Sequence, residues 1–227
     1  MRLENKSALL AGASGLVGHE LLHFLLESSN YESVKILVRK YIDVQHPKLE
    51  QVLVDFNRLG NYEEHLNVND VYCCLGTTIK KAGSQEAFRK VDYEYPLKLA
   101  ELAKQHSVNN FLVVSALGAN AASNVFYSRT KGQLERDLKK LQLPALHIFQ
   151  PSLLLGDRKE FRLGEKLASI LSPIYSPFML GKLKRYKPVR ARRVAYAMYV
   201  IGQTDLAGPF TYPSDQIHEI RNQSLEK

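Results

Sequence analysis

The sequence predicts an α/β protein built on a doubly wound, predominantly parallel sheet. Apolar, strand-like runs alternate with helical patterns along most of the chain. This alternation is typical of parallel strands joined by helical crossovers, with helices covering both faces of the sheet. A glycine-rich turn, GASGLVG, follows the first strand-like run and opens the first helical pattern. Such folds bind phosphate at that position.

The elements can be placed in chain order from their patterns. The candidate strands are SALLAG, VKILV, QVLVD, DVYCCLG, NFLVVSA and ALHIFQ. Helical patterns cover residues 16–27, 84–105, 125–141 and 189–201, and NYEEHL predicts one more turn of helix. We therefore expect a single domain over residues 1–227, in which residues 151–227 contribute a small lid on the substrate side.

Composition narrows the class of protein. The chain has 227 residues, of which 45% are hydrophobic, which is enough for one core. A net charge of +8 predicts an anionic partner, which could be nucleic acid, a membrane surface or a phosphorylated small molecule.

The adjacent Cys73 and Cys74 provide neither a disulfide framework nor metal-ligand spacing. No apolar run is long enough to span a bilayer and the start, MRLENKS, lacks a signal-peptide pattern, so we expect a cytoplasmic protein that does not bind membranes.

The three glycines of GASGLVG each suit a dinucleotide-binding turn. Gly12 would permit the tight turn, Gly15 would let the backbone approach a pyrophosphate, and Gly18 would let the helix pack closely on the strand. The spacing is GxxGxxG, whereas the usual fingerprint is GxGxxG. An ordinary glycine-rich connection is therefore the alternative.

The ends of the next strands suggest the rest of a cofactor site. Arg39 and Lys40 stand where an acidic residue would bind the ribose of NAD, and an arginine there can pair with a 2′-phosphate. This favours NADP over NAD, unless both side chains are simply solvated. Asp55 and Phe56 could reach an adenine edge and face. In CCLGTT, Gly76 would let the chain pass close to the cofactor, although this segment could also be a plain strand-to-loop turn.

A candidate catalytic set follows the fifth strand. Ser115 ends that strand, Tyr127 comes twelve positions later, and Lys131 lies four beyond Tyr127, on the same face of a helix. The ammonium would lower the pKa of the phenol by favouring its charged form. Tyr127 would then protonate the alkoxide formed in carbonyl reduction, while Ser115 binds the same oxygen. The segment YESVK, from Tyr31 to Lys35, repeats the spacing but lacks a serine at a strand end upstream.

These motifs together resemble the short-chain dehydrogenase/reductase superfamily, in its atypical or extended branch. Through VDFNRL, YCCLGTTIKKAGSQEAFRKVDYEYPLKLAELAK and QPSLLLGDR, the chain is most similar to the Tat-interacting-protein oxidoreductase family and its bacterial relatives. The resemblance implies a Rossmann-like domain that binds NADP(H), with Ser115, Tyr127 and Lys131 as catalytic positions. The cofactor contacts that it implies are Gly12, Ser14, Gly15, Leu16, Val17, Arg39, Lys40, Leu75 and Gly76. Further candidate cofactor-binding residues are Gly18, Asp55, Phe56, Thr77 and Pro151. Related sequences commonly carry Arg-Pro-Gly where this chain has Gln150, Pro151 and Ser152.

Two functions are consistent with these residues. The first is NADP(H)-dependent oxidation or reduction of a small alcohol or carbonyl compound. The alternative is an NADP(H)-binding, redox-sensing regulatory protein that contacts a macromolecular partner with little or no turnover. We expect a small-molecule substrate and either a homodimer or a protein partner.

Two further features are candidate binding sites. The basic stretch from Lys182 to Arg193 could contact the phosphates of nucleic acid or an acidic protein, or it could be a solvated loop that leads into a helix. Because no nucleic-acid-binding module is recognisable, we expect no nucleic-acid partner. His19 and His23 share a helix face but lack further ligands, so no metal is expected.

Overall fold

The computed structural model describes residues 6–155 and 185–221, and it contains a seven-stranded sheet in which all pairs are parallel. The order is β3-β2-β1-β4-β5-β6-β9. The strands are β1 (Lys6–Ala11), β2 (Tyr31–Val38), β3 (Leu49–Leu53), β4 (Asp70–Cys73), β5 (Asn110–Val114), β6 (Ala145–Gln150) and β9 (Gly208–Pro213). A separate parallel pair joins β7 (Leu154–Leu155) to β8 (Val189–Arg190). The predicted fold class is confirmed.

Helices cover both faces of the sheet. They are α1 (Leu16–Glu27), α2 (Ile79–Ala82), α3 (Gln85–Arg89), α4 (Tyr95–Gln105), α5 (Phe126–Lys140), α6 (Ala191–Ile201) and α7 (Ser214–Glu219). A kinked 3₁₀ segment occupies Phe56–Leu66, where the sequence predicted a turn of helix. Helices α1 and α6 bury one face, against residues such as Leu10 and Phe149, while α4 and α5 bury the other, against Leu9 and Ile148. Adjacent strand residues thus enter opposite cores, as a sheet covered on both sides requires.

The helix predicted over residues 84–105 is interrupted. Ser84 caps α3 by accepting the Ala87 N–H at 3.0 Å, and a π-helical turn, Lys90–Glu94, then joins α3 to α4. Pro96 explains the interruption, because a proline in a regular helix lacks an N–H and its ring clashes with the carbonyl four residues earlier, here that of Asp92. The wider turn places the Asp92 side chain in the protein interior.

The C-terminal part of the chain completes the sheet. Strand β9 pairs with β6 from Ala145↔Gly208 to Gln150↔Pro213, and α6 packs against α1. Strand β9 was not predicted, because GPFTYP contains two prolines, which are typical of a loop. Both prolines are tolerated because β9 is an edge strand. Most of the predicted lid, residues 156–184, lies outside the described residues.

A histidine is buried among the aromatic residues of β6 and β9. The His147 ring stacks on Phe210 and Tyr212 with centroids 5.7 and 5.9 Å away, and its Nδ1 lies 3.1 Å from the Tyr212 hydroxyl. Its Nε2 has no partner among the described residues. Burial lowers the pKa of His147 to about 4. The ring therefore stays neutral in the folded chain where the unfolded chain would already bind a proton.

We predict that His147 makes the fold sensitive to acid. Its effect is absent above pH 6.5. As the pH falls toward 4, His147 binds a proton in the unfolded state but stays neutral in the native state. The free energy of unfolding therefore drops by about 3 kcal/mol. Chemical denaturation across this pH range should show a clearly smaller decrease for His147→Phe. The exposed control His19→Gln should behave as the wild type. Equal slopes for all three proteins would contradict the assignment.

Candidate active site

The glycine turn brings the start of α1 against the end of β4. Gly12 has φ +92°, and a Cβ there would lie 2.6 Å from the carbonyl carbon of Cys74. A Cβ on Gly18 would lie 2.1 Å from the Gly12 oxygen, while the Gly15 N–H donates to that oxygen at 3.0 Å. The turn and the helix–strand packing therefore need glycine at Gly12 and Gly18, as the phosphate-turn interpretation requires.

The first turn of α1 is suited to an anion. Gly15 occupies the N-cap position, no side chain caps the helix, and no acidic residue stands in its first turn. Ser14 is exposed, Leu16 is half-buried and Val17 is buried. The backbone amides of this turn are positive at a helix N-terminus, where they favour a phosphate. This helix lies where the strand order reverses between β1 and β4, the crevice in which doubly wound folds bind ligands.

The residues predicted near an adenosine follow β2 and β3. Arg39 and Lys40 are exposed just beyond the last residue of β2. The Asp55 carboxylate accepts from the Asn57 N–H at 3.0 Å, and this hydrogen bond lowers its pKa. Phe56 is buried, with its ring 5.6 Å from that of Tyr95. Asp55 thus retains solvent access, whereas Phe56 contributes mainly to packing.

A buried ion pair connects the end of β4 to α5. Lys131 Nζ lies 2.8 Å from Asp92 Oδ1, and the Thr77 N–H donates to the other carboxylate oxygen at 2.8 Å. A Cβ at Gly76 would lie 3.5 Å from Asp92 Oδ1, which is an ordinary contact, so this carboxylate does not itself require glycine there. Burial alone would lower the pKa of Lys131, but the charges of Asp92 and Tyr127 outweigh it, so the pKa of the ammonium is raised. Lys131 is therefore held in its charged form.

Tyr127 stands one turn before Lys131 in α5. Its half-buried ring packs 5.6 Å from Phe88, a buried residue of α3. Tyr31 is the other tyrosine with a lysine four residues later. It begins β2, at the amino-terminal ends of the strands and away from the candidate site. There its hydroxyl donates to Asp70 at 2.5 Å, within a buried polar network. Fold position separates the two matches, as the sequence analysis expected.

Ser115 belongs to a second buried network. Its hydroxyl donates to the Glu135 carboxylate, and Gln150 Nε2 donates to both oxygens of that carboxylate at 2.9 Å. The Ser115 N–H donates to the Phe149 carbonyl at 2.7 Å, which continues the pairing of β5 with β6. Burial raises the pKa of Glu135, although the bonds from Ser115 and Gln150 oppose this.

The loop after Ser115 is fixed on both sides. The Leu117 N–H donates to the carbonyl of the buried Pro151 at 2.9 Å. On the other side the loop touches α5 at Gly132, where a Cβ would lie 2.1 Å from the Ala121 nitrogen. Pro151 therefore supports this loop from β6, while Gly132 permits its close contact with the helix that carries Tyr127 and Lys131.

Sequence reasoning missed two carboxylates, Asp92 and Glu135. Glu135 lies four residues after Lys131, so helical spacing could have placed both on one face. No local pattern pointed to Asp92, because its inward direction depends on the π turn. Leu75 and Thr77 follow β4 as predicted, and both are half-buried. The Thr77 N–H donates to Asp92 of the ion pair between Asp92 and Lys131.

Part of the predicted basic patch has structural partners. Arg192 lies over the Phe24 ring at 5.4 Å and 3.7 Å from a Glu20 oxygen. Arg193 donates to the carbonyl of His218 at 2.7 Å and to that of Ile220. Residues 182–184 lie outside the described residues. Where the structure describes the chain, no helix is long and apolar enough to cross a membrane, and no three potential metal ligands cluster.

Comparison with known proteins shows the family. A family model described as HIM1 matches residues 32–182. The chain belongs to the HIM1 family. The match begins after the glycine turn and includes Asp92, Ser115 and the α5 residues. HTATIP2 from Rattus norvegicus, a protein similar to this chain, is 37% identical over 171 residues, which cover 74% of this chain and 70% of the relative. The predicted resemblance to Tat-interacting-protein relatives is thus confirmed.

Solved structures share the HIM1-family fold seen here. WbmH of Bordetella bronchiseptica, in complex with NAD⁺, aligns with a TM-score of 0.71 and 15% identity over 93% of this chain and 76% of its own. A UDP-glucose 4-epimerase from Thermotoga maritima aligns with a TM-score of 0.69 and 14% identity over 94% and 80%. At such low identity the similarity shows the fold. This chain therefore has a Rossmann-like α/β fold.

The expected cytoplasmic location is contradicted by family members. FMP52 of Debaryomyces hansenii, 35% identical over 156 residues that cover 68% of this chain and 69% of the relative, is named a mitochondrial protein. FMP52 proteins of Meyerozyma guilliermondii and Candida albicans carry the same description. The expectation rested on a missing signal-peptide pattern and a missing membrane span, and neither feature distinguishes the cytoplasm from a mitochondrial compartment.

We predict that glycine is needed at position 12 for two separable reasons. Gly12→Ala should lower the free energy of unfolding by several kcal/mol for two reasons: the new Cβ clashes with the Cys74 backbone, and alanine is strained at a positive φ. Gly83→Ala, at φ +85° in open space, should cost about 1 kcal/mol from strain alone. Gly60→Ala has neither problem and should be close to neutral. Urea denaturation of the three variants measures this order, and equal losses at positions 12 and 83 would contradict it.

Proposed function

We propose that the chain is an NADP(H)-dependent oxidoreductase that transfers hydride between the nicotinamide and a carbonyl or alcohol of a small molecule. One observation carries the proposal: a continuous set of contacts joins the glycine turn to the candidate catalytic helix. Gly12 abuts the backbone of Cys74 and Leu75, Thr77 donates to Asp92, and Asp92 pairs with Lys131. The glycine turn and the candidate proton-transfer residues thus lie at the carboxyl ends of the strands, and this proximity supports the proposal.

The residues of this edge fit a dinucleotide. The uncapped start of α1 would hold the pyrophosphate through its backbone amides. Arg39 and Lys40 are exposed beyond β2 and would pair with a 2′-phosphate, which favours NADP over NAD. Leu75, Gly76 and Pro151 would border the nicotinamide end. The cofactor, when bound, supplies or accepts the hydride.

The protein's own part of the chemistry is proton transfer. Tyr127 would donate its hydroxyl proton to the alkoxide of a reduced substrate, or accept a proton from an alcohol. The charged Lys131 favours the phenolate that results, and Asp92 keeps the ammonium in position. Ser115 would bind the same substrate oxygen.

The ion pair also supports the alternative function, a cofactor-sensing regulatory protein. Because the Asp92 carboxylate lies 2.8 Å from Lys131 Nζ, it offsets much of the positive charge that would otherwise act on Tyr127. Weak activation would suit a protein that binds cofactor with little turnover and contacts a macromolecular partner. Cofactor binding is common to both functions, and turnover separates them.

We predict that the chain binds NADPH more tightly than NADH, and that added salt reduces this preference. The double change Arg39→Ala with Lys40→Ala should weaken NADPH binding by at least about tenfold, the usual loss for a charge-assisted hydrogen bond, while NADH binding stays nearly constant. Isothermal titration of the cofactor-free protein measures both.

The matched control removes two exposed lysines of α4, through Lys98→Ala with Lys104→Ala, and should leave both affinities unchanged. If neither cofactor binds the wild type, the proposal fails. If NADPH and NADH lose affinity equally in the Arg39 and Lys40 variant, the 2′-phosphate assignment fails.

A further inference from the structure

The hydroxyl of Ser115 is committed to a carboxylate. A serine hydroxyl has one proton to donate and two lone pairs to accept with. The Ser115 proton is donated to Glu135, and both groups are buried, with exposed fractions of 5% and 7%. In this arrangement Ser115 can offer a substrate only its lone pairs. A lone pair can bind the hydroxyl of an alcohol, whereas a carbonyl oxygen has no proton to give it.

Gln150 supplies the other hydrogen bonds to that carboxylate. Its Nε2 donates to both Glu135 oxygens at 2.9 Å, while Ser115 donates to one of them. When it is ionised, the carboxyl group is an acceptor only and can take all three of these bonds. Protonation of one oxygen would turn Glu135 into a donor, and Ser115 would then be free to direct its own proton elsewhere.

We propose that Glu135 is a positioning residue whose protonation state decides whether Ser115 recognises an alcohol or a carbonyl. With Glu135 ionised, Ser115 accepts a hydrogen bond from a substrate hydroxyl. When Glu135 has taken a proton from solvent, its carboxyl O–H donates a hydrogen bond to Ser115. The Ser115 O–H is then free to donate a hydrogen bond to a carbonyl oxygen. This proposal rests on the proposed function, since it assigns Ser115 to the substrate oxygen.

The surroundings of Glu135 favour its protonation at a higher pH than that of an exposed glutamate. Burial raises the pKa of Glu135. The hydrogen bonds from Ser115 at the end of β5 and Gln150 of β6, followed by the charges of Lys139 and Lys131 on its own helix, lower it without cancelling the effect of burial. From the π turn packed against α5, Asp92 faces Lys131 and offsets part of that charge. Carbonyl binding should therefore improve as the pH falls through the raised pKa of Glu135.

We predict that Glu135→Gln shifts the preference of the site from hydroxyl donors toward carbonyl acceptors. An amide at this position can accept from Gln150 and donate to Ser115 at every pH, so the Ser115 proton stays available to a substrate carbonyl. The probes are trifluoroethanol, a hydroxyl donor that resists oxidation, and N,N-dimethylisobutyramide, which can only accept. Their dissociation constants are measured by NMR on the NADP⁺-saturated protein across the pH range. The affinity for the amide relative to the affinity for trifluoroethanol should increase by roughly fivefold, which corresponds to one hydrogen bond, and this ratio should no longer depend on pH.

Three controls isolate the effect. Glu101→Gln removes a partly exposed carboxylate of α4 and should match the wild type. In a Ser115→Ala background, Glu135→Gln should produce no further change, because the effect acts through Ser115. In the cofactor-free wild type, ¹³C-glutamate NMR should give a lower pKa for Glu135 than in Ser115→Ala, since the lost bond stabilised the carboxylate.

The last readout needs neither cofactor nor a substituted Glu135. If NADP⁺ does not bind, the proposed function fails while the coupling of Ser115 to Glu135 is still measured. An unchanged probe ratio in Glu135→Gln, the same shift in the Ser115→Ala background, or an equal pKa of Glu135 with and without the serine hydroxyl would each overturn the inference.

Discussion

The buried ion pair between Asp92 and Lys131 is the constraint on which the site depends. Both groups have lost nearly all contact with water, a cost that only close pairing and further hydrogen bonds offset. The Thr77 N–H supplies one such bond, so the pair ties together the end of β4, the π turn and α5. Since Gly12 packs against the residue pair that follows β4, the position of the glycine turn relative to α5 is set through the same contacts.

Two carboxylates give this edge of the sheet its chemical character. Asp92 holds the lysine that faces Tyr127, and Glu135 accepts the proton of the serine that would face the substrate. Lys131 and Ser115 therefore each contact a buried carboxylate directly. Proton movements at Tyr127 and Ser115 can then respond to different partners, because Asp92 is paired with a charge and Glu135 with neutral donors.

Hydrophobic alternation and glycine spacing were sufficient to predict the parallel sheet, α1 within its exact limits and the place of the glycine turn. These features are local, and they agree with the global fold. Strand β9 was missed because its pairing with β6 joins segments far apart in sequence, while its two prolines are signals of a loop. Asp92 was missed because only the π turn beside Pro96 directs it inward. The ends of β2, β3 and β4 were predictable, whereas the hydrogen-bond partners of Ser115 depend on side-chain directions that spacing does not specify.

Turnover by a Tyr127→Phe variant is the measurement that tests the account most directly. Reduction of 9,10-phenanthrenequinone by NADPH is compared in the wild type, in Tyr127→Phe and in the control Tyr93→Phe. In the wild type the Tyr93 hydroxyl donates to Asp137. Loss of the proton donor should reduce kcat by at least about a hundredfold with little change in NADPH affinity, while Tyr93→Phe stays active. Unchanged turnover in Tyr127→Phe would contradict the catalytic role of that residue. Cofactor binding without turnover by the wild type would favour the regulatory alternative.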